Sequence, residues 1–220
     1  TWWNATDGNW KSHVYEIPGA TNVAVRGSIC AVARTPEDID VIYATNDGAI
    51  NHVQWSATNN RWTSPAVVAI AGSVNADSKV TMVTRSGKEL NAFWISPSGS
   101  LMTNWWMQGN PQSWRNRYTI PTGLAAAQGS GIAAVSRDQD KLDLIWVSND
   151  GKLMTTWWNA ASGQQWNNTT YALSAAGIAS TNINLALVSK NPLQLDAYWV
   201  TTDGRLQTHN WHHYKKTNFA

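Results

Sequence analysis

The chain has 220 residues, of which only 14% are charged, and its formal net charge is +2 at pH 7. So weak a charge excludes the basic surface expected of a nucleic-acid binder, and no apolar run approaches the roughly 18 residues that a membrane-spanning helix needs. The length suits one well-buried domain, and no linker or charge run divides it.

The predicted elements begin with part of a repeat at residues 1–22, which supplies a third strand around residues 2–3 and a fourth at residues 10–17. Full repeats follow at about 23–73, 74–123, 124–176 and 177–220. In the repeat at 124–176, apolar segments at 132–136, 142–147 and 153–158 alternate with polar loops, and a fourth strand opens at Trp166. The turn at Asn149, Asp150 and Gly151 is a strong hairpin signal. Each unit is therefore predicted to be an antiparallel meander of four strands.

Several markers recur with a spacing of 51 to 53 residues. They are the glycine of one hairpin turn, the tryptophan that closes the third strand, the aromatic residue that opens the fourth strand, and an aromatic residue of the second strand. In that order the markers are Gly48, Gly99, Gly151 and Gly204; Trp3, Trp55, Trp106, Trp158 and Trp211; Trp10, Trp62, Trp114, Trp166 and Phe219; and Tyr43, Trp94, Trp146 and Trp199.

A period of about 52 residues with four short strands predicts an all-β fold, a β-propeller in which each repeat forms one four-stranded antiparallel blade. Large aromatic rings fill the wedge between blades, which explains most of the fifteen tryptophans. We expect a single propeller domain over residues 1–220. The blade number stays open: a four-bladed ring closed by the N-terminal strand, a five-bladed ring with one partial blade, part of a larger ring, and a subunit that completes a ring with its copy all fit the markers.

Three segments carry a family resemblance: IAAVSRDQDKLDLIWVSNDGKLMTTWW, ICAVARTPEDIDVIYATNDGAINHVQW and LNAFWISPSGSLMTNWW. They resemble the repeats of β-propeller lectins of the Aleuria fucose-lectin and Photorhabdus-lectin types. The resemblance covers the whole chain and implies a multivalent lectin with shallow pockets between blades, in which a sugar ring lies on an aromatic side chain. In the Aleuria-type pattern that aromatic residue opens the fourth strand, which matches Trp10, Trp62, Trp114 and Trp166.

The chain departs from this family at the pair of residues that grips fucose. The Aleuria-type pattern has an Arg early in the second strand and a Glu in the third. The matching second-strand residues here are Asp40, Asn91, Asp143 and Asp196, and around the third-strand position the chain has Thr or Asn, such as Thr103 and Thr155. The resemblance therefore implies a lectin without implying this route to fucose.

Two further sets of candidate ligand-binding residues keep the period. Neighbours in a strand point to opposite faces, so in each Trp pair we expect the second residue in the core. The variable first residue either stacks on a sugar or is a partly buried residue that covers the core. The fourth-strand tryptophans likewise either stack on a sugar or pack between blades. A guanidinium at the end of the first strand either bonds sugar hydroxyls or pairs with the Asp of the next strand. The two sets are Trp2, Trp105 and Trp157, and Arg34, Arg85 and Arg137.

No pattern in the sequence indicates catalysis, a cofactor or a metal. No unique pair of carboxylates stands out for glycoside hydrolysis, and the Asp and Gly of the turns are adjacent, unlike those of the sialidase Asp-box. The cluster of His209, His212 and His213 lacks the spacing of a zinc site. Cys30 is expected to be a small core residue. We therefore expect a protein that is not an enzyme.

Two functional hypotheses follow. The first is a carbohydrate-binding lectin that binds glycans or glycoproteins at repeated sites, without nucleic acid or membrane insertion, and whose copies complete or stack rings as homo-oligomers. The alternative is a non-catalytic scaffold or accessory interaction propeller of a larger secreted protein. Because Thr1 already belongs to a repeat, a leader was either removed or never present. An extracellular or cell-surface-directed protein is favoured, with a leaderless cytoplasmic lectin as the alternative.

Overall fold

The chain folds into successive antiparallel sheets. The computed structural model describes residues 3–4, 6, 8–10, 14–111, 113–123, 125–163 and 165–212, with only the backbone of Trp3, Asn4 and Trp10. Within that part the only helix is a 3₁₀ turn at Ala160–Ser162. The strands are β1 (Trp3–Asn4), β2 (Asn9–Trp10), β3 (Ile29–Ala33), β4 (Asp38–Ala44), β5 (Ile50–Ser56), β6 (Arg61–Trp62), β7 (Ala66–Ala69), β8 (Val80–Ser86), β9 (Glu89–Ile95), β10 (Leu101–Met107), β11 (Tyr118–Thr119), β12 (Ile132–Asp138), β13 (Lys141–Val147), β14 (Leu153–Asn159), β15 (Gln165–Trp166), β16 (Tyr171–Ala172), β17 (Ala186–Asn191), β18 (Gln194–Val200) and β19 (Leu206–His212).

The first three strands of every full repeat form the predicted meander. β3, β4 and β5 lie side by side in the first blade, β8 to β10 in the second, β12 to β14 in the third and β17 to β19 in the fourth. The hairpin glycines have positive φ, for example 78° at Gly48. A Cβ atom at Gly48 would also collide with the carbonyl oxygen of Val74. Glycine is required there because any other residue would both strain the backbone and collide with the segment at Val74.

The fourth strand of a blade is short and interrupted. It is divided into β6 and β7 in the first blade and into β15 and β16 in the third, while the described residues of the second blade form only β11 there. Trp114, which was predicted to open a strand, precedes β11 with a left-handed φ of 61°, although its N–H still bonds to the Trp105 carbonyl at 2.9 Å. The N-terminal strand predicted at residues 10–17 is also corrected. β2 pairs with β1, residues 11–13 lie outside the described residues, and residues 14–17 are not in a strand.

The hydrophobic core lies between neighbouring blades. Successive residues of a strand face opposite sides of the sheet, so each blade contributes to two clusters. Trp94 packs with Ile42 of the first blade, whereas its neighbour Phe93 packs with Leu144 and Trp166 of the third blade. The second-strand aromatic residues are all buried, as predicted for packing between blades: Tyr43, Trp94, Trp146 and Trp199.

The tryptophans that close the third strands were predicted to lie in the core, and those with a described side chain are less buried than predicted. Trp55, Trp106 and Trp158 are only half-buried, and Trp211 is 41% exposed. Trp106 and Trp158 pack at the margin of the clusters. Cys30 is likewise half-buried at the boundary between two blades, where the Met82 N–H donates to its Sγ at 3.2 Å. Burial raises the pKa of the Cys30 thiol.

Within the described residues the blades form an open arc. Their first strands are neighbours in chain order, β3 beside β8, β8 beside β12 and β12 beside β17. At the start of the arc Ile29 is 69% exposed, whereas the equivalent Val80 is 5% exposed. At the other end Leu206 is 74% exposed, whereas the equivalent Leu153 is fully buried. The outer faces of the first and fourth blades therefore lack a neighbouring blade in this part of the chain. No helix in it is long and apolar enough to cross a membrane.

Candidate functional site

An arginine at the end of the first strand joins its blade to the next. Arg34 donates through Nε to Asp40 Oδ2 at 3.0 Å and through Nη1 to the Gly87 carbonyl of the second blade at 2.9 Å. Its guanidinium carbon also lies 4.6 Å from the ring centre of Trp106, in a cation–π contact. The Arg–Asp ion pair that the sequence suggested is therefore present, and the arginine also connects two blades.

The same contact recurs at the next two junctions. Arg85 lies 4.5 Å above the Trp158 ring, and Arg137 lies 4.9 Å above the Trp211 ring. Each of these arginines also donates to a carbonyl in a turn of the following blade. Trp106, Trp158 and Trp211 are thus each covered on one face by the cation of the preceding blade.

The junctions differ in the partner of the arginine. Arg137 pairs with Asp143, with 2.5 Å between Nε and Oδ2, and burial raises the pKa of Asp143 while the arginine opposes that rise. At the second junction the equivalent position is Asn91, whose Oδ1 accepts from Arg85 at 3.2 Å. Arg85 forms its ion pair with Glu89 instead. An uncharged amide thus replaces a buried carboxylate at the second junction.

A cleft of about 800 Å³ lies at this second junction, between the second and third blades. Its aromatic lining comes from Trp105, Tyr118, Trp158 and Trp166. Polar groups from both blades lie among these rings: Arg85, Glu89, Asn91 and Thr103 on one side, and Gln139, Asp140, Gln165 and Asn168 on the other. Aromatic walls with a few polar groups are typical of a site for a small molecule.

Thr103 gives the cleft a hydroxyl group without a partner. The residue is 3% exposed, and its Oγ1 is buried and accepts or donates no hydrogen bond among the described residues. Trp166, 8% exposed, is held at the base of the cleft by an edge contact with Phe93, with ring centres 5.7 Å apart. Because Thr103 lines the cleft, a rotation about χ1 can turn its hydroxyl towards a bound ligand.

The first junction, between the first and second blades, is filled by a histidine. His52 is 5% exposed, and its Nε2 lies 2.8 Å from Asp40 Oδ1. Its Nδ1 accepts from Trp114 Nε1 at 3.4 Å, with ring centres 5.3 Å apart. The tautomer with its proton on Nε2 satisfies both contacts, because Nδ1 must be an acceptor for the indole N–H. Trp114 is thus buried against His52.

The third junction is incomplete in the part of the chain that is described. Thr155 donates to the Leu144 carbonyl at 3.1 Å. Trp157 stacks on Tyr171, with ring centres 5.4 Å apart and planes inclined by 18°. Up to residue 212, where the description ends, the fourth blade contributes three strands. Phe219, the predicted fourth-strand residue of this blade, lies outside the described residues.

Several solved structures share this arrangement of blades. The BP39L lectin of Burkholderia pseudomallei superposes with a TM-score of 0.71 at 22% identity, over 86% of this chain and 53% of its own. AofleA of Arthrobotrys oligospora superposes with a TM-score of 0.68 at 21% identity, over 90% of this chain and 56% of its own. The N224Q mutant of the Aleuria aurantia lectin in complex with Fucα1-6GlcNAc superposes with a TM-score of 0.66 at 17% identity, over 88% of this chain and 61% of its own. The Aleuria lectin is a six-bladed β-propeller.

This chain has the β-propeller fold. It spans between 53% and 61% of the length of those three proteins. No protein-family model matches the chain, and no curated protein matches its sequence. The resemblance predicted from the repeats thus agrees with the fold, and at these identities the likeness concerns the fold.

The propeller brings only part of the predicted site residues to the cleft. Arg85, Trp105 and Trp166 line it. Arg34 and Trp114 lie at the filled first junction, and Arg137 and Trp157 at the incomplete third. Trp62 is half-buried beside Trp55, with ring centres 5.9 Å apart. Trp2 and the side chain of Trp10 lie outside the described residues.

The sequence interpretation missed two residues of the propeller junctions. Tyr118 lines the cleft from β11, opposite Thr103. His52 holds the position that Thr103 and Thr155 hold in the next two blades. Its signal was present in the period, since it stands three residues before the closing tryptophan, as the threonines do. His209 and His212 are exposed in β19, and the described residues contain no group of His, Cys, Asp or Glu that could hold a metal ion.

Proposed function

We propose that the chain is a non-catalytic lectin that binds the sugar units of glycans or glycoproteins in the cleft between its second and third blades. The observation that carries this proposal is the composition of that cleft. Four aromatic side chains line it together with amide, hydroxyl, guanidinium and carboxylate groups. A pyranose needs both kinds of contact, because its C–H face is apolar and its rim carries hydroxyl donors and acceptors.

The aromatic groups best placed for stacking lie on the second blade. Trp105 is half-buried and Tyr118 is 46% exposed, whereas Arg85 already covers one face of Trp158. We therefore place the stacking contact on Tyr118, the more exposed of these two, with Trp166 at the base of the site. This assignment differs from the Aleuria-type pattern, which would give the stacking role to the fourth-strand tryptophan.

The polar groups suit a neutral ligand better than an anionic one. The charge of Arg85 is balanced by its ion pair with Glu89, and Asn91 brings no charge. The carboxylate of Asp140, which also lines the cleft, would repel an anion. The N224Q mutant of the Aleuria lectin has been solved with Fucα1-6GlcNAc and with α-methyl-L-fucoside, so fucosides are the first sugars to test. Sites at the other junctions, assembly into larger rings, and extracellular or cell-surface action remain predictions.

The test is a glycan array probed with the purified chain, followed by titration of the sugar that it selects. Tyr118→Ala should weaken that binding at least tenfold, which corresponds to about 1.4 kcal/mol. Tyr171→Ala is the matched control. Tyr171 holds the equivalent position in the third blade, is 49% exposed and lies outside the cleft, so its loss should leave affinity at the second junction unchanged.

Two results would count against the lectin. One is a blank array from a sample that unfolds cooperatively, which would leave the interaction propeller without sugar activity as the better hypothesis. The other is binding that Tyr118→Ala and Tyr171→Ala weaken equally, which would place the sugar outside this cleft.

A further inference from the structure

Equivalent positions of the first two junctions carry residues of different size. His52 lies opposite Ile42 in the first blade, and Thr103 lies opposite Phe93 in the second. Ile42 and Phe93 are themselves equivalent, 51 residues apart. His52 and Thr103 therefore hold equivalent positions in the third strands of their blades, and their side chains point to the equivalent face of the sheet.

The imidazole of His52 connects the two side chains that correspond to the walls of the cleft. Its Nε2 bonds to Asp40, the equivalent of Asn91, and its Nδ1 accepts from Trp114, the equivalent of Trp166. At the second junction Thr103 is too short to make this connection, and the cleft lies there. One ring thus occupies, in the first junction, the region that is open in the second.

We propose that His52 is an internal occupant that closes the first junction to sugar, and that the residue at this third-strand position decides which junctions bind. This inference rests on the proposed lectin function. A sugar could enter the first junction only by separating the imidazole from a carboxylate that is 1% exposed. Asp40 would then keep its ion pair with Arg34 but lose the bond to His52, and a lost bond at a buried carboxylate is costly. The blades described here then provide one complete open site at the second junction.

The imidazole also indicates what the open site binds. It donates on one side and accepts on the other, across a distance set by its ring. Two adjacent sugar hydroxyls offer the same combination, because each can both donate and accept. We infer that the ligand presents a neutral vicinal diol between Asn91 and Trp166, in place of the ring that connects Asp40 and Trp114.

Exchanging the pairs between junctions tests the proposal. His52→Thr with Asp40→Asn gives the first junction the residues of the second, and removes the carboxylate that the single His52→Thr variant would leave without its histidine. Thr103→His with Asn91→Asp makes the reciprocal change. The reverse pair serves as the control for the forward pair, since both alter the same two strand positions.

The probe is α-methyl-L-fucoside, together with any sugar that the array selects, added to protein labelled with ¹⁵N in its indole groups. In the unmodified chain the sugar should shift the Trp166 indole signal and leave that of Trp114 in place. The forward variant should add a shift at Trp114 and raise the binding stoichiometry by one. The reverse variant should lose binding at Trp166 by more than tenfold. Unchanged stoichiometry and affinity in both variants would overturn the proposal.

Deuterium exchange of the Trp114 indole N–H provides a measurement that needs no sugar. The bond to His52 should make this exchange slow in the unmodified chain and fast in the forward variant, because protection follows the hydrogen bond. Equally fast exchange in both would show that His52 does not close the junction. Slow exchange with no sugar bound by any variant would instead reject the lectin function while leaving the closure by His52 in place.

Discussion

Replacing Thr103 by valine separates the stability of the fold from the binding of its ligand. Valine has nearly the volume of threonine and lacks the hydroxyl group. The Thr103 hydroxyl is buried without a partner among the described residues, and an unpaired buried group of this kind costs about 1–3 kcal/mol. Thr103→Val should therefore raise the free energy of unfolding of the unliganded chain by about 1 kcal/mol or more. For a chain of this length, 1 kcal/mol corresponds to a rise in Tm of about 2–4 °C.

The equivalent threonine of the third blade is the matched control. Thr155 donates to the Leu144 carbonyl at 3.1 Å, so Thr155→Val removes a hydrogen bond and should lower the free energy of unfolding by about 1 kcal/mol. Denaturant titration of the unmodified chain and both variants measures the two effects, which are expected to have opposite signs. Equal destabilisation by both substitutions would show that the Thr103 hydroxyl is satisfied in the free protein.

Binding should change in the other direction at the same residue. If the hydroxyl turns into the cleft to meet a sugar, Thr103→Val loses one neutral hydrogen bond, worth about 0.5–1.5 kcal/mol. The affinity should then fall by about 2- to 12-fold, as measured by calorimetric titration with the selected sugar. A variant that is more stable yet binds as well as the unmodified chain would exclude Thr103 from contact with the ligand.

Two further results are expected from the turns and from the free thiol. Gly48→Ala should destabilise the chain by about 2–5 kcal/mol, because the new Cβ combines a positive φ with a collision against the Val74 carbonyl. Gly72→Ala, at φ 77° with open space around it, should cost only the backbone strain of about 1–2 kcal/mol, and equal losses by denaturant titration would refute the collision. Cys30 should react with a thiol reagent at pH 8 more slowly in the folded chain than in the unfolded chain, because burial raises the pKa of its thiol. The reaction is followed by absorbance, and equal rates in the two states would show that the thiol is accessible.

The fold was largely predictable because it is written in local, repeated signals. The turn at Gly48 needs a positive φ that glycine supplies, and the alternation of residues such as Phe93 and Trp94 places each on a different side of one sheet. These signals recur with one period, so a strand or turn that is ambiguous in one repeat can be predicted from the equivalent residues of the other repeats. The short, divided fourth strand escaped prediction because its pairing depends on irregular loops, as at Trp114, which lies before β11 rather than within it.

The candidate site was less predictable than the fold. The period gave the arginines and the tryptophans of every junction equal weight, so Trp114 and Trp166 were indistinguishable in the sequence. Both proved to be 8% exposed, yet one lies against His52 and the other at the base of the cleft. Which junction is open depends on the side chain opposite each tryptophan, and that side chain belongs to another blade.

The sequence by itself determined the repeat, its strands, its hairpin turns and the class of fold, because each of these depends on residues close together in the chain. The tertiary structure alone decided how the blades meet. His52 and Trp114 are 62 residues apart and bond to each other, and Arg85 reaches Trp158 across the next junction. Such contacts form only when two sheets pack face to face, so the packing of the blades distinguishes a filled junction from an open one.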